Sequence, residues 1–318
     1  MKARTLAGAA VTGVGAHRPA LRVDNLAIAE RTSSSDTWIR ERSGIVTRGV
    51  AADDESVVDM ATAAGGEALA AAGVNAADLG LVLLATCSMP GPLPGGSPEV
   101  AYRLGATSAG ASDIGAGCAG FAYALGLAAD CVRTGTADHV LVIGSEKLTP
   151  MVDQDDRGTA FLFGDGAGAA VVSRSTTESV GPVVWAHDGD QHQKLTIHGS
   201  PPRLAMEGRA IYRWATTSLP DLCRRACEEA GVDVADLRAF VPHQANLRIT
   251  ESVVSSLGLP SSTVIARDVV DSGNTSAASV PLALARLLEL GEVKSGDPVL
   301  LFGFGAGLTA AGQVIYLP

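Results

Sequence analysis

Apolar residues in this chain come in unbroken runs rather than in alternation: "LVLLAT" at 81 to 86, "HVLVIG" at 139 to 144, "AAVVS" at 169 to 173 and "VLLFG" at 299 to 303. A strand with one wet face alternates, so continuous runs predict sheets covered by helices on both faces. Between them, "SVVDMATAAGGEALAAAG" is rich in helix formers and predicts a helix over 55 to 72 that stops at Gly73. Residues 119 to 133 are apolar almost all round and predict a helix inside the protein. "SAASVPLALARLLELG" has the same character near the other end of the chain.

The pattern is written twice. "AGVNAADLGLVLLAT" at 72 to 86 returns as "AGVDVADLRAFVPHQ" at 230 to 244, so that Gly73 recurs as Gly231. "DHVLVIGS" at 138 to 145 returns as "DPVLLFGF" at 297 to 304, again close to half the chain length away. A duplicated half-chain predicts a layered α/β body with a pseudo-twofold axis, divided here into residues 1–174 and 175–318. Equivalent loops of the halves then converge near that axis.

Convergence selects three residues. Cys118 opens the buried helix of the first half between small neighbours, His243 follows the second-half strand that matches "LVLLAT", and Asn274 precedes the second buried helix. A helix N-terminus favours a thiolate, so the thiol of Cys118 is expected below its usual pKa. Taken singly, each residue has an ordinary reading: a packed thiol, a satisfied histidine, an N-cap in "GNTS". The glycine clusters at 163 to 173 and 302 to 312 lack dinucleotide-site spacing, and Gly305, Ala306 and Gly307 suit a turn whose N–H groups face a reacting carbonyl.

Composition narrows the setting. The chain has 318 residues, a formal charge of −10 and no basic run, which disfavours nucleic acid. Five cysteines without a C-x-x-C pair argue against a metal site or disulfide framework and fit the cytoplasm. The start reads as a strand and turn rather than a signal peptide, and no apolar stretch is long enough to span a membrane.

"DTWIRERSGIVTR", "GCAGFAYAL", "DDRGTAFLFGDGAGAAVV", "VPHQANLRI" and "SGNTSAASVPLAL", in that order, resemble the signature segments of β-ketoacyl-acyl-carrier-protein synthase III, of the thiolase superfamily. The resemblance implies a five-layered α/β/α/β/α fold, a homodimer and no cofactor beyond a coenzyme A thioester as substrate. It implies that Cys118 takes an acyl group from acyl-CoA, and that His243 and Asn274 assist decarboxylation of a malonyl thioester, carried by acyl-carrier protein or CoA. Backbone N–H groups of Cys118 and Ala306 then hold the oxyanion. Trp38 and Arg157 resemble the pair that sandwiches the CoA adenine, with Arg42 nearby. Arg213 and Arg248 resemble a carrier-protein patch, and Leu93 stands where a residue closes the acyl pocket. Ala306 in place of a glycine, and Ser255 and Ser256 where lysines are common, leave open a specialised relative that primes a polyketide pathway, or one that passes its acyl group to oxygen or nitrogen instead of carbon. The order Cys118, His243, Asn274 also suits a papain-like hydrolase, although such sequences lack the duplication, and a silent acyl-binding subunit is a third reading.

Overall fold

The computed structural model describes residues 7–317, so the first six residues of the N-terminal strand and turn expected from sequence lie outside the described residues. In chain order the strands are β1 (Gly8–His17), β2 (Leu21–Asp24), β3 (Thr47–Val50), β4 (Leu81–Ala85), β5 (Gly110–Ile114), β6 (His139–Glu146) and β7 (Gly166–Ser175). There follow β8 (Val184–His187), β9 (Leu195–His198), β10 (Arg203–Met206), β11 (Ala239–Pro242), β12 (Val264–Ile265), β13 (Pro298–Gly305) and β14 (Thr309–Tyr316). The α-helices are α1 (Asn25–Thr32), α2 (Asp36–Ser43), α3 (Val57–Ala72), α4 (Ser97–Leu104), α5 (Gly120–Arg133), α6 (Gly208–Ala230), α7 (Leu247–Leu257), α8 (Val269–Ser272) and α9 (Ser279–Glu289).

Two five-stranded sheets carry the fold, ordered β1-β7-β6-β4-β5 and β8-β14-β13-β11-β12. The orders are equivalent strand for strand: β6-β4-β5 and β13-β11-β12 pair parallel, and β1-β7-β6 and β8-β14-β13 pair antiparallel. β6 and β13 share the burial pattern along all eight residues, open at the first and buried thereafter, which is why their sequences read as unbroken apolar runs.

Helices α5 and α9 lie between the sheets and pack on both. Their apolar side chains join those of β6, β7, β11 and β13 in one core that includes Phe121, Leu125, Leu284 and Leu287. On the outer faces α3 and α4 cover the first sheet, and α6 and α7 cover the second. The result is the five-layered α/β/α/β/α arrangement expected for a thiolase-like duplication. The first sheet ends at Ser175 and the second begins at Val184. A smaller apolar cluster gathers α1, α2 and residues 148–163 at one end of the layers, where the ribbon β9–β10 also packs.

Local sequence explains the boundaries that matter. Ser56 and Asp59 form a reciprocal cap at the start of α3, and Gly73 ends the helix in the left-handed conformation. Both central helices are preceded by a single 3-10 turn, residues 117–119 before α5 and 276–278 before α9, and these two turns pack on each other.

Leu284 is 1% exposed in the central layer. Leu284→Ala should therefore cost about 2–5 kcal/mol, read as a lower urea midpoint at unchanged slope. A loss below about 1 kcal/mol would contradict a close-packed middle layer.

Candidate active site

The turn 117–119 places Cys118 at the floor of a cavity between the sheets, 6% exposed. Its close neighbour is the end of β13. A Cβ built on Gly305 would stand 2.7 Å from Cys118 Cβ and 3.0 Å from its Sγ, so only glycine admits the cysteine here. The backbone N–H groups of Cys118 itself and of Ala306 are turned toward the sulfur, as is the Ser276 hydroxyl.

The lowered pKa expected from the helix N-terminus is not what the structure produces. Burial pushes the Cys118 thiol up to about 11; the Ser276 hydroxyl and the two N–H groups oppose that rise without overcoming it, and the nearby Glu146 carboxylate adds to it. Burial disfavours an uncompensated anion here more strongly than one helix end favours it. The resting thiol is protonated.

His243 and Asn274 are tied by hydrogen bonds to Ser279 and Ser276, at the turn 276–278 that packs on the turn carrying Cys118, and neither lines the cavity itself. His243, 2% exposed, lies just beyond β11, where its N–H donates to the carbonyl of Phe302 at 2.7 Å. Its ring meets Phe304 edge-on at 5.0 Å, and Nδ1 lies 2.7 Å from the Ser279 hydroxyl. That hydroxyl also accepts from the Gln244 N–H at 3.3 Å, an arrangement that suits a hydroxyl donating to Nδ1 and a ring hydrogen on Nε2. Burial holds the imidazole pKa down at about 3, so the ring is neutral. Asn274, 6% exposed, is tied to 162–164 by backbone bonds of 2.8 and 3.0 Å, and its Oδ1 accepts from the Ser276 N–H at 2.9 Å, leaving its amide N–H groups for another partner.

The cavity, about 310 Å³, is walled by Leu148, Phe163, Leu195, Ile197 and Leu204 and floored by Cys118. Leu93 is not in that wall. It is 87% exposed on the Pro- and Gly-rich loop between β4 and α4, which carries it away from its own chain's cavity. A groove of about 1080 Å³ opens alongside, the adjacent residues Leu162 and Phe163 lining groove and cavity respectively. Trp38, Arg42, Arg213 and Arg248 line it, with Arg209 as a further cation that the sequence reading passed over. Arg42 and Arg157 lie over the Trp38 ring at 4.6 and 4.7 Å, and Arg248 over Tyr212 at 5.5 Å. The predicted pocket and patch residues other than Leu93 thus share one rim.

Two side chains beside Cys118 were also missed. Cys87, at the end of β4, lines the cavity, and its thiol donates to Glu146 at 3.2 Å. Glu146, 0% exposed at the end of β6, accepts from the Cys87 N–H at 3.1 Å, the Thr86 hydroxyl at 3.1 Å, the Ser88 hydroxyl and the Ala277 N–H at 3.5 Å. The available sequence signal was an acid closing an apolar strand where the second copy carries Gly305.

A duplicated five-layer body with one reactive-type cysteine at the meeting of its central helices defines a thiolase-type acyl-transferring enzyme. The profile described as 3-oxoacyl-[acyl-carrier-protein] synthase III matches residues 112–189, and that of its C-terminal part matches 227–317. β-Ketoacyl-[acyl-carrier-protein] synthase III of Streptomyces glaucescens is 47% identical over 98% of this chain and 96% of its own length. The mycobacterial β-ketoacyl-[acyl-carrier-protein] synthase III of Mycobacterium avium is 48% identical over 96% of this chain and 94% of its own. The crystal structure of the priming β-ketosynthase of the R1128 polyketide biosynthetic pathway superposes with a TM-score of 0.98 at 43% identity, covering 100% of this chain and 98% of that one. The 3-oxoacyl-[acyl-carrier-protein] synthase III of Aquifex aeolicus superposes with 0.93 at 37% identity, covering 97% and 100%. The chain belongs to the β-ketoacyl-[acyl-carrier-protein] synthase III family. It is a ketosynthase that begins fatty-acid or polyketide chains by decarboxylative condensation.

The neutral ring has a measurable consequence. His243 binds no proton in the folded chain until about pH 3, whereas a free histidine does so near 6.5. The unfolded state therefore binds more protons between those values, and stability falls on acidification across that window. NMR of the ring should show no titration of His243 from pH 5 to 9; a midpoint near 6.5 would refute the dry-pocket assignment.

Proposed function

We propose that Cys118 accepts an acyl group from acyl-CoA and that a malonyl thioester, delivered on acyl-carrier protein or CoA, then loses CO2 and attacks it. The observation that carries the reading is the packing of the second-half turn 276–278 against the turn that carries Cys118. The N–H groups of Cys118 and Ala306 face the thiol from one side. His243 and Asn274 come from the second half of the chain, through the turn that packs on Cys118.

The chemistry needs such a division. Attack of sulfur on the CoA thioester puts charge on the carbonyl oxygen, which the two backbone donors stabilise, each such donor being worth about 3–4 kcal/mol in a transition state. The acyl-Cys118 bond forms as the C–S bond to CoA breaks. Decarboxylation then leaves an enolate on the malonyl thioester, whose oxygen takes hydrogen bonds from His243 Nε2 and the Asn274 amide. A neutral imidazole suits this role, since it donates without first having to lose or gain a proton. The carbanion attacks the acyl carbonyl, the backbone donors act again, and Cys118 leaves. Covalent storage of the acyl group separates the two half-reactions.

Substrate contacts follow the groove. Trp38 with Arg42 and Arg157 fits an adenine and its phosphates, and Arg213 and Arg248 with Arg209 fit the acidic surface of a carrier protein, a local exception on a chain of charge −10. A homodimer is part of the proposal. Leu93 stands exposed on an apolar loop and β5 is an unpaired sheet edge, so Leu93 could close an acyl pocket only in a second copy.

Intact-mass analysis with a panel of acyl-CoAs tests the reading. Wild-type protein should gain the acyl mass on residue 118 and lose it on addition of malonyl carrier protein. His243→Ala should gain the mass and then stall, with turnover down at least about 10²-fold. A Cys118→Ser protein acylated as fast as wild type, or free acid as the main product, would contradict it.

A further inference from the structure

The thiol of Cys118 is protonated and burial makes the His243 imidazole a poor base, so neither accounts for where the thiol proton goes at acylation. The two central turns differ in a way that answers this. Under the duplication Gly117 corresponds to Ser276 and Gly305 to Glu146. The turn carrying Cys118 rests on Gly305, while the turn carrying Ser276 rests on Glu146, whose Oε1 accepts from the Ala277 N–H at 3.5 Å. Gly117 has φ +50°, where glycine is at ease; Ser276 holds φ +48°, one of two non-glycine residues with positive φ among the described residues. An L-residue is strained there, and strain retained beside a reacting group points to use of the side chain.

That side chain stands between the thiol and the acid. Ser276 lines the cavity with Cys118 and Cys87, its hydroxyl lies 3.7 Å from Cys87 Sγ, whose hydrogen goes to Glu146 at 3.2 Å, and it holds down the pKa of both the Cys118 thiol and Glu146. Glu146 is wholly buried and bonded to neutral donors, with no cation paired to it among the described residues. The titratable groups facing it are Cys87 from the end of β4 and Cys118 from the turn 117–119; the adjacent Lys147 ammonium is turned to the carbonyls of Ala52 and Glu55. Burying an unpaired carboxylate is costly, and an anchor for the 86–88 loop alone needs only a neutral acceptor.

We infer that Ser276 and Glu146 form a proton relay that takes the thiol proton of Cys118 during acylation and returns it to the departing CoA thiolate. The Cys118 proton passes to Ser276 Oγ as the serine's own proton passes to Glu146. The freed sulfur pair forms the bond to the acyl carbon, the C–S bond to CoA breaks, and the proton on Glu146 travels back through the hydroxyl to the CoA sulfur. Nothing is oxidised or reduced, and acid and serine end as they began. The inference rests on the acyl-Cys118 reading above.

Rapid-quench measurement of acyl mass on Cys118 from acyl-CoA, without any malonyl donor, tests it across pH. In wild type the rate should rise with pH along a limb set by Glu146 ionisation. Glu146→Gln should abolish that limb, slow acylation by about 10²-fold near neutrality and approach wild type as pH rises toward the thiol's own ionisation. Ser276→Gly, which removes the hydroxyl while relaxing the backbone, should give the same profile, and Glu146→Asp should keep a limb. Rates lowered by one factor at every pH in both variants, or unchanged in both, would overturn the relay. A wild-type protein that gains no acyl mass on Cys118 would instead overturn the acyl-enzyme reading, and the relay with it.

Discussion

The contact between the turn at Cys118 and the end of β13 is what the site depends on. A Cβ on Gly305 would come within 2.7 Å of the cysteine's own Cβ, so the approach exists only because one partner has no side chain. Pressed this close, Cys118 has the Ala306 N–H directed at its sulfur and is cut off from water by the layers on either side. Both consequences follow from one contact: a place where oxyanion charge is welcome, and a thiol reluctant to ionise by itself. Electrostatic preorganisation and thiol activation are in tension here, since the dryness that strengthens the N–H donors also raises the thiol pKa.

Duplication supplies the means to hold such a contact. Two equivalent turns, each leading into a central helix, meet between the sheets, and the copies have diverged where they touch. One carries glycines and the cysteine. The other carries Ser276, with Asn274 just before it and Ser279, which orients His243, just after it. One short segment of the second half therefore fixes the positions of both enolate donors relative to a nucleophile fixed by the first. A shift of that turn would move all of them together, which makes it a more sensitive element than any single side chain on it.

Much of this was legible in the residues. The repeat of "AGV", "ADL" and an apolar strand announced two matching sheets, and β6 and β13 appear at the equivalent positions with the same burial. Helix 55 to 72 and its stop at Gly73 followed from helix formers and a C-terminal glycine, with Ser56 as the cap one residue inside the expected start. The sign of the Cys118 shift was not legible, because a dipole is visible in sequence order whereas the depth of burial is set by five layers assembling. That Leu93 stands outside its own chain's cavity was hidden for a related reason: motif position fixes where a residue lies along the chain, and the path of the loop is set only by the fold. Glu146 and Cys87 escaped notice since their partners lie on separate segments, around 86–88 and 276–277, that only the fold brings together.

A crystal structure of the enzyme trapped with its acyl group tests the central claim most directly. The account predicts a carbonyl carbon bonded to the sulfur of residue 118, its oxygen within hydrogen-bonding distance of the N–H groups of residues 118 and 306, and the side chains of His243 and Asn274 facing the open side of that carbonyl. An acyl oxygen held instead by the imidazole and the asparagine, with the two backbone N–H groups left to other partners, would contradict it.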